Sequence, residues 1–121
     1  MIKTFEDLKC WQEARRCVVM VYKLTCNQKI EKEYDLIRQL KRASISIMNN
    51  IAEGFSRYHS NEFIRFLDFA KGSASEVLSM LYIIEDLRFA EKDEIYEIRE
   101  QAIKTRKLIL GLMRYLNKTS Q

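Results

Sequence analysis

The stretch NEFIRFLDFAKGSASEVLSMLYIIEDLR, residues 61–88, decides the fold. Phe63, Leu67, Ala70, Ala74, Val77, Leu81 and Ile84 recur at steps of four and three. That spacing puts one apolar side chain on the same face of each helical turn, the seam of an antiparallel bundle. The period-two alternation of a half-buried strand is missing. A second stripe lies beside the first: Phe66, Phe69, Ser73, Glu76, Met80, Ile83 and Leu87. Together the stripes exceed the ~100° face that one bundle core requires, and subunit contacts account for the surplus.

The same rhythm spreads outward from this segment. A fourth helix, about Glu91 to Leu116, repeats it through Ile95, Ile98, Ala102, Thr105, Ile109, Leu112 and Leu116. Its extra stripe, Tyr96, Ile103 and Leu110, is too apolar for bulk water. A first helix spans about Phe5 to Cys26, with Thr4 as N-cap and Asp7 three residues on. Leu8, Trp11, Val18, Tyr22 and Thr25 form its stripe, widened by Ala14 and Val21. Arg15 falls inside that stripe, so either its stem packs while the guanidinium snorkels, or it meets a buried carboxylate. A polar break over residues 27–32 leads into a second helix, about Glu33 to Ser56. The loop 57–61 follows, with Ser60 as N-cap of the third helix. Four helices with short loops predict an all-α, antiparallel up-down-up-down four-helix bundle, one domain over residues 1–121.

Composition agrees. The chain of 121 residues has no proline and only three glycines, with 47% hydrophobic and 31% charged residues. That length buries roughly two-thirds of the unfolded surface. The N-terminus lacks the apolar run of a signal peptide, and no apolar stretch approaches the ~20 residues of a membrane span. A soluble, cytoplasmic protein is expected. Cys10, Cys17 and Cys26 form no Cys-x-x-Cys pair and read as reduced, buried structural thiols. Gly54 and Gly72 sit alone within helical patterns and suit close approach of a neighbouring helix, Gly54 also an early helix stop.

Catalytic and cofactor chemistry finds no foothold. His59 is the single histidine, in a loop beside Tyr58, with no serine or cysteine paired to it by motif. Glycine-rich phosphate loops, metal-ligand spacings and the helical Glu-x-x-His pairs of di-iron bundles are missing. No enzyme activity, cofactor or metal is expected.

The second helix carries a polar set that an amphipathic helix does not need. Arg38, Arg42, Ser46, Asn49 and Glu53 fall within an arc of about 80° at 100° per residue. With Arg65, Ser73 and Glu76 on the third helix, they read as a network fixing helix register or a subunit seam. The alternative is a contact with a ligand or nucleic acid. Burial separates the two: a seam is buried and mutually paired, a ligand site lies open in a groove.

Net charge is +4. Residues 89–103 hold two bases and five acids, whereas 104–121 hold five bases and no acid. Such polarity complements the helix macrodipole, and it also offers a basic patch to an anionic partner. In the bundle, residues 1–16, 45–70 and 104–121 gather eleven bases and six acids at one end; the remainder has ten and eleven. Candidate phosphate contacts are Lys104, Lys107, Arg114 and Lys118 on an outer face of the fourth helix, with Arg16 and Arg57. Tyr58 is placed against the first helix, with base stacking as the alternative.

The chain resembles the four-helix-bundle proteins encoded in intervening sequences of 23S rRNA genes. Relatives of that family include the accessory variability protein of diversity-generating retroelements. The resemblance runs from Phe5 to Leu116. It is carried by Phe5-Glu6-Asp7-Leu8 with Trp11-Gln12, Val21-Tyr22-Lys23-Leu24-Thr25, Leu40-Lys41-Arg42-Ala43-Ser44-Ile45-Ser46-Ile47, Glu62-Phe63-Ile64-Arg65-Phe66-Leu67 and Gly72-Ser73 with Glu76. Its most specific part is Asn50-Ile51-Ala52-Glu53-Gly54. Many members have proline where Met48 stands, so a straighter second helix is expected here. The resemblance implies a ring-shaped homopentamer. For the retroelement branch it also implies binding of nucleic acid and a reverse transcriptase, which the modest +4 charge disfavours; the match is closer to the ribosomal branch. The expected function is thus an accessory protein contacting RNA or DNA through a basic rim, or else a scaffold for a protein partner.

Overall fold

The computed structural model describes residues 1–119. A 3-10 turn at Phe5–Asp7 precedes four helices, α1 (Lys9–Leu24), α2 (Tyr34–Phe55), α3 (Ser60–Asp86) and α4 (Lys92–Thr119). Contacts run α1–α2, α2–α3, α3–α4 and α4–α1, with none across either diagonal. That closed square is an up-down-up-down bundle. The Lys29 ammonium meets the Glu91 carboxylate at 2.7 Å, placing the first and third loops together at the acidic end.

The core follows the three-and-four rhythm. Leu67, Ala70, Ala74, Val77, Leu81 and Ile84 of α3 are buried, facing Leu40, Ala43, Ile47 and Ile51 of α2. From α4 come Ile95, Ile98, Ala102, Thr105 and Ile109, with Leu112 and Leu116 half-buried. Each fully buried Leu or Ile contributes about 1.5–3 kcal/mol. Helix α2, 22 residues long, runs unbroken through Met48.

Helix α1 keeps most of the expected stripe: Leu8, Trp11, Ala14, Val21 and Thr25 are buried, joined by Cys10, Cys17 and Leu24, while Tyr22 is exposed and Val18 only half-buried. Arg15 lies outside the core with its guanidinium 5.7 Å from the Trp11 ring. Cysteine buries as readily as valine, so Cys10 and Cys17 widen the face toward the core. Burial pushes the Cys10 thiol up to about 11 and the Cys17 thiol up to about 12, so both stay protonated and unreactive. Cys26 departs from expectation: it is exposed, its thiol donating to the Tyr22 carbonyl at 3.3 Å.

Helix ends are specified locally. Asp7 accepts backbone N–H bonds from Lys3 and Thr4 at 2.9 and 3.1 Å. The helix proper starts only at Lys9, because Leu8 is extended (ψ 126°). In the break after α1, Asn27 Oδ1 accepts from the N–H groups of Lys29 and Ile30, an Asx turn. This turn drives Ile30 into full burial inside what reads as a polar linker. Helix α3 begins one residue earlier than expected, with His59 at the N-cap. It ends on Arg88 in the left-handed region (φ 59°), and the Phe89 N–H closes onto the Ile84 carbonyl at 2.9 Å.

The two glycines of the central helices differ in kind. A Cβ on Gly54 would lie 2.8 Å from Phe66 Cβ and 2.9 Å from Phe63 Cδ1, so α2 and α3 meet there in near-backbone contact. Gly72, expected to admit a neighbouring helix, is exposed, and a Cβ there would meet nothing within 4 Å. Gly72→Ala is therefore expected to stabilise the protein by about 0.5–1 kcal/mol through helix propensity alone. Thermal melting checks it; a lower melting temperature would mean that Gly72 does more than sit on a free surface.

Candidate nucleic-acid interface and the polar seam

The polar set of α2 divides into three parts. At the α2–α3 seam, the buried Ser73 hydroxyl donates to the Ser46 hydroxyl at 2.9 Å. Asn50 Nδ2 donates to the Ser46 hydroxyl and carbonyl, each at 2.9 Å. Arg42 and Glu76 span the same seam at the surface, 3.8 Å apart and both exposed. The remaining pairs are local: Arg38 with Asp35 at 2.7 Å, Arg57 with Glu53 at 3.2 Å, Arg65 with Glu62 at 3.8 Å. Exposed pairs of this kind contribute about 0–1 kcal/mol each. Ser46 and Ser73 thus meet within the α2–α3 seam, while the exposed Arg42–Glu76 pair only bridges it at the surface. Asn50, the third member of the buried hydrogen bonds, was not singled out because Asn49 lies nearer the centre of the arc.

The open side of α2 faces a groove of about 1200 Å³. Tyr22, Tyr34, Ile37 and Ile45 supply apolar wall, with Arg38, Arg42, Asn49 and Glu53 among the polar lining. All five residues of the arc therefore line this groove, and the half-buried Ser46 also reaches into the seam.

The six candidate phosphate contacts also separate. Arg16 and Lys104 both turn to one carboxylate, Glu13, at 3.5 and 3.3 Å. Glu13 is fully buried, and Lys9 approaches it at 3.3 Å. Gln101 Nε2 donates to Glu13 Oε1 and to the Glu13 carbonyl, both at 2.9 Å. The Gln101 hydrogen bond, followed by Lys9, Lys104 and Arg16, outweighs burial and holds the carboxyl at about 2, against an ordinary 4.5. Sequence reasoning missed this knot. The one local signal is Glu13 wedged between the buried positions 10, 14 and 17 with bases at 9 and 16; its α4 partners lie 88 and 91 residues away.

Arg57 is held by Glu53 and lies 4.8 Å over the Phe66 ring. Lys107, Arg114 and Lys118 are exposed and, among the described residues, have no carboxylate partner. They fall within about 40° on the outer side of α4. Tyr58 is fully exposed rather than packed on α1. His59 is also exposed, and among the described residues no group of three or more His, Cys, Asp and Glu side chains is placed to hold a metal ion. No helix of the described residues is long and apolar enough to cross a membrane.

Residues 6–111 match the model of the 23S rRNA-intervening sequence protein family. The chain belongs to this family. A solved structure from Bacteroides thetaiotaomicron VPI-5482, a protein of unknown function from the S23 ribosomal protein family, superposes with a TM-score of 0.79. The two share 21% identity over 86% of this chain and 97% of the other, a likeness of fold. No curated protein matches the chain. Family membership covers both the seam serines and most of α4; Arg114 and Lys118 lie beyond the matched segment.

Proposed function

We propose that this family member is a non-enzymatic, homo-oligomeric bundle that contacts RNA or other nucleic acid through the free part of its basic rim. One observation carries the proposal. Lys107, Arg114 and Lys118 are exposed cations without a carboxylate partner among the described residues, whereas Arg16, Arg57 and Lys104 are tied to carboxylates. Dipole complementation alone would be served equally well by paired bases. Free ammonium and guanidinium groups on one helix side are what a phosphate backbone engages. Support for assembly, with a pentamer as the size the resemblance implies, comes from exposed Ile83 on α3, Leu87 at its C-cap and Tyr96 on α4. Repetition of a weak patch around an oligomer multiplies its avidity.

Fluorescence polarisation of a labelled structured RNA at three salt concentrations tests this, with the oligomer mass read by light scattering. Affinity is expected to fall log-linearly with salt. The double variant K107E/R114E should bind more weakly at low salt, with a slope smaller by about one per lost phosphate contact. Absence of binding at low salt would overturn the nucleic-acid proposal and favour a second reading, a scaffold that takes a protein segment. That reading draws on the groove over α2, whose wall is apolar and aromatic.

A further inference from the structure

The end of the bundle formed by the α2–α3 loop carries an arrangement that phosphate binding does not use. The Arg57 guanidinium lies 4.8 Å over the Phe66 ring. Phe66 meets Phe69 edge-on at 5.9 Å, and the Arg65 guanidinium lies 5.7 Å over Phe69. Four groups with π faces thus follow one another along the first turns of α3. Phe69 is 47% exposed, and Tyr58, one residue after Arg57, is wholly so. Glu53 and Glu62 pair with the two guanidinium groups and so steady their orientation.

All six tyrosines of the chain are exposed, and Tyr58, at 101%, is the most exposed of them. Tyr58 offers about the largest flat apolar surface a side chain can present, at little entropy cost in two torsions. Protein partners would call for a contiguous apolar patch. Here the rings are interleaved with guanidinium planes, the pattern that suits stacked bases. Register adds charge at the same end. Arg106 Nη1 donates to the Ser75 hydroxyl at 3.3 Å, and equal rise along antiparallel α3 and α4 carries Lys118 to the level of residue 63. The opposite end holds Glu85, Asp86, Glu91, Asp93, Glu94 and Glu97, which repels a polyanion.

We propose that Tyr58 and the Arg57–Phe66–Phe69–Arg65 ladder form a stacking platform for unpaired RNA bases, so that the partner is single-stranded rather than duplex RNA. The proposal rests on the RNA reading above and narrows it. A duplex keeps its bases stacked inside and can use only the phosphate contacts; an unpaired segment can use both.

The test compares a labelled oligoadenylate with a blunt RNA duplex carrying the same number of phosphates, by fluorescence polarisation on the whole chain. Wild type is expected to prefer the oligoadenylate. Tyr58→Ala should weaken it about five- to hundredfold, leaving duplex binding and the salt slope unchanged, and Tyr58→Phe should restore it. Phe69→Ala should behave like Tyr58→Ala. Removal of an exposed loop side chain leaves the fold intact, which unchanged melting verifies. Wild-type oligoadenylate affinity in both alanine variants, or equal losses on the duplex, would overturn the platform while leaving the RNA reading standing. Binding to neither RNA would overturn both.

Discussion

Glu13→Gln is expected to lower the melting temperature by about 10 °C, and Glu13→Ala by more. Glu13 is fully buried at the α1–α4 seam, yet its carboxylate is contacted by Lys9, Arg16 and Lys104 and hydrogen-bonded by Gln101. Breaking a fully buried pair by removing one partner costs about 3–5 kcal/mol. Here only the carboxylate is desolvated, and Lys9, Arg16 and Lys104 keep more than half of their side-chain surface in water, which sets the loss at or below the lower end. In Glu13→Gln the amide still meets Gln101, but three cations are left facing one another without a counter-charge, so the lower end applies. About 3 kcal/mol corresponds to about 10 °C for a domain of this size. Glu13→Ala also abandons the Gln101 amide and opens a cavity.

The acid dependence has a definite sign. The native carboxyl is held at about 2, while the unfolded chain titrates near the ordinary 4.5. The stabilisation is therefore complete above pH 4.5 and is lost as pH falls from there through 2. Wild type and Glu13→Gln should differ most near neutral pH, and their melting temperatures should converge toward pH 2. Parallel curves across that range would show that the carboxylate charge is not what ties α1 to α4.

Gly54→Ala is the second large effect, and it runs against helix propensity. In an exposed helix the change would gain about 1 kcal/mol. Here the new methyl would stand 2.8 Å from Phe66 Cβ and 3.3 Å from the Phe63 carbonyl oxygen, atoms that move only with the α3 backbone. Overpacking of this kind costs about 1–3 kcal/mol, and Gly54→Val, which adds branching at Cβ, falls at or beyond the upper end. Displacing α3 would also lengthen the Ser73–Ser46 hydrogen bond two to three turns away. Denaturant unfolding measures the loss. A stability equal to or above wild type in Gly54→Ala would show that α2 and α3 can separate freely. Set against Gly72→Ala, the pair makes opposite-signed predictions from one chemical change.

The fold was legible because the bundle rests on a local property. Apolar residues at three-and-four spacing in α3 and α4 can be counted without knowing what they face, and nearly all proved buried. Helix α1 was legible in part: Leu8, Trp11, Ala14, Val21 and Thr25 are buried as the stripe predicts, but Tyr22 is exposed and Cys10, Cys17 and Leu24 complete the face. Ile30 was lost in a run of polar neighbours, since a single buried residue in a turn has no period. For the candidate site, the basic run of α4 and the serines at the α2–α3 seam were visible as residue types. Which cations stay free was not, because Arg16 and Lys104 are claimed by one buried carboxylate, which Lys104 and Gln101 reach from another helix.

The amino-acid sequence by itself determined four helices, their order and one polarised, basic end, because periodicity and charge act over a few residues at a time. Tertiary structure alone decided that Glu13 is buried among three cations, that Gly54 is a contact and Gly72 is not, and that Tyr58 stands bare. Each of those depends on which residue of a distant helix arrives opposite. The rotation of each helix about its axis settles that, and it is fixed only when all four pack at once.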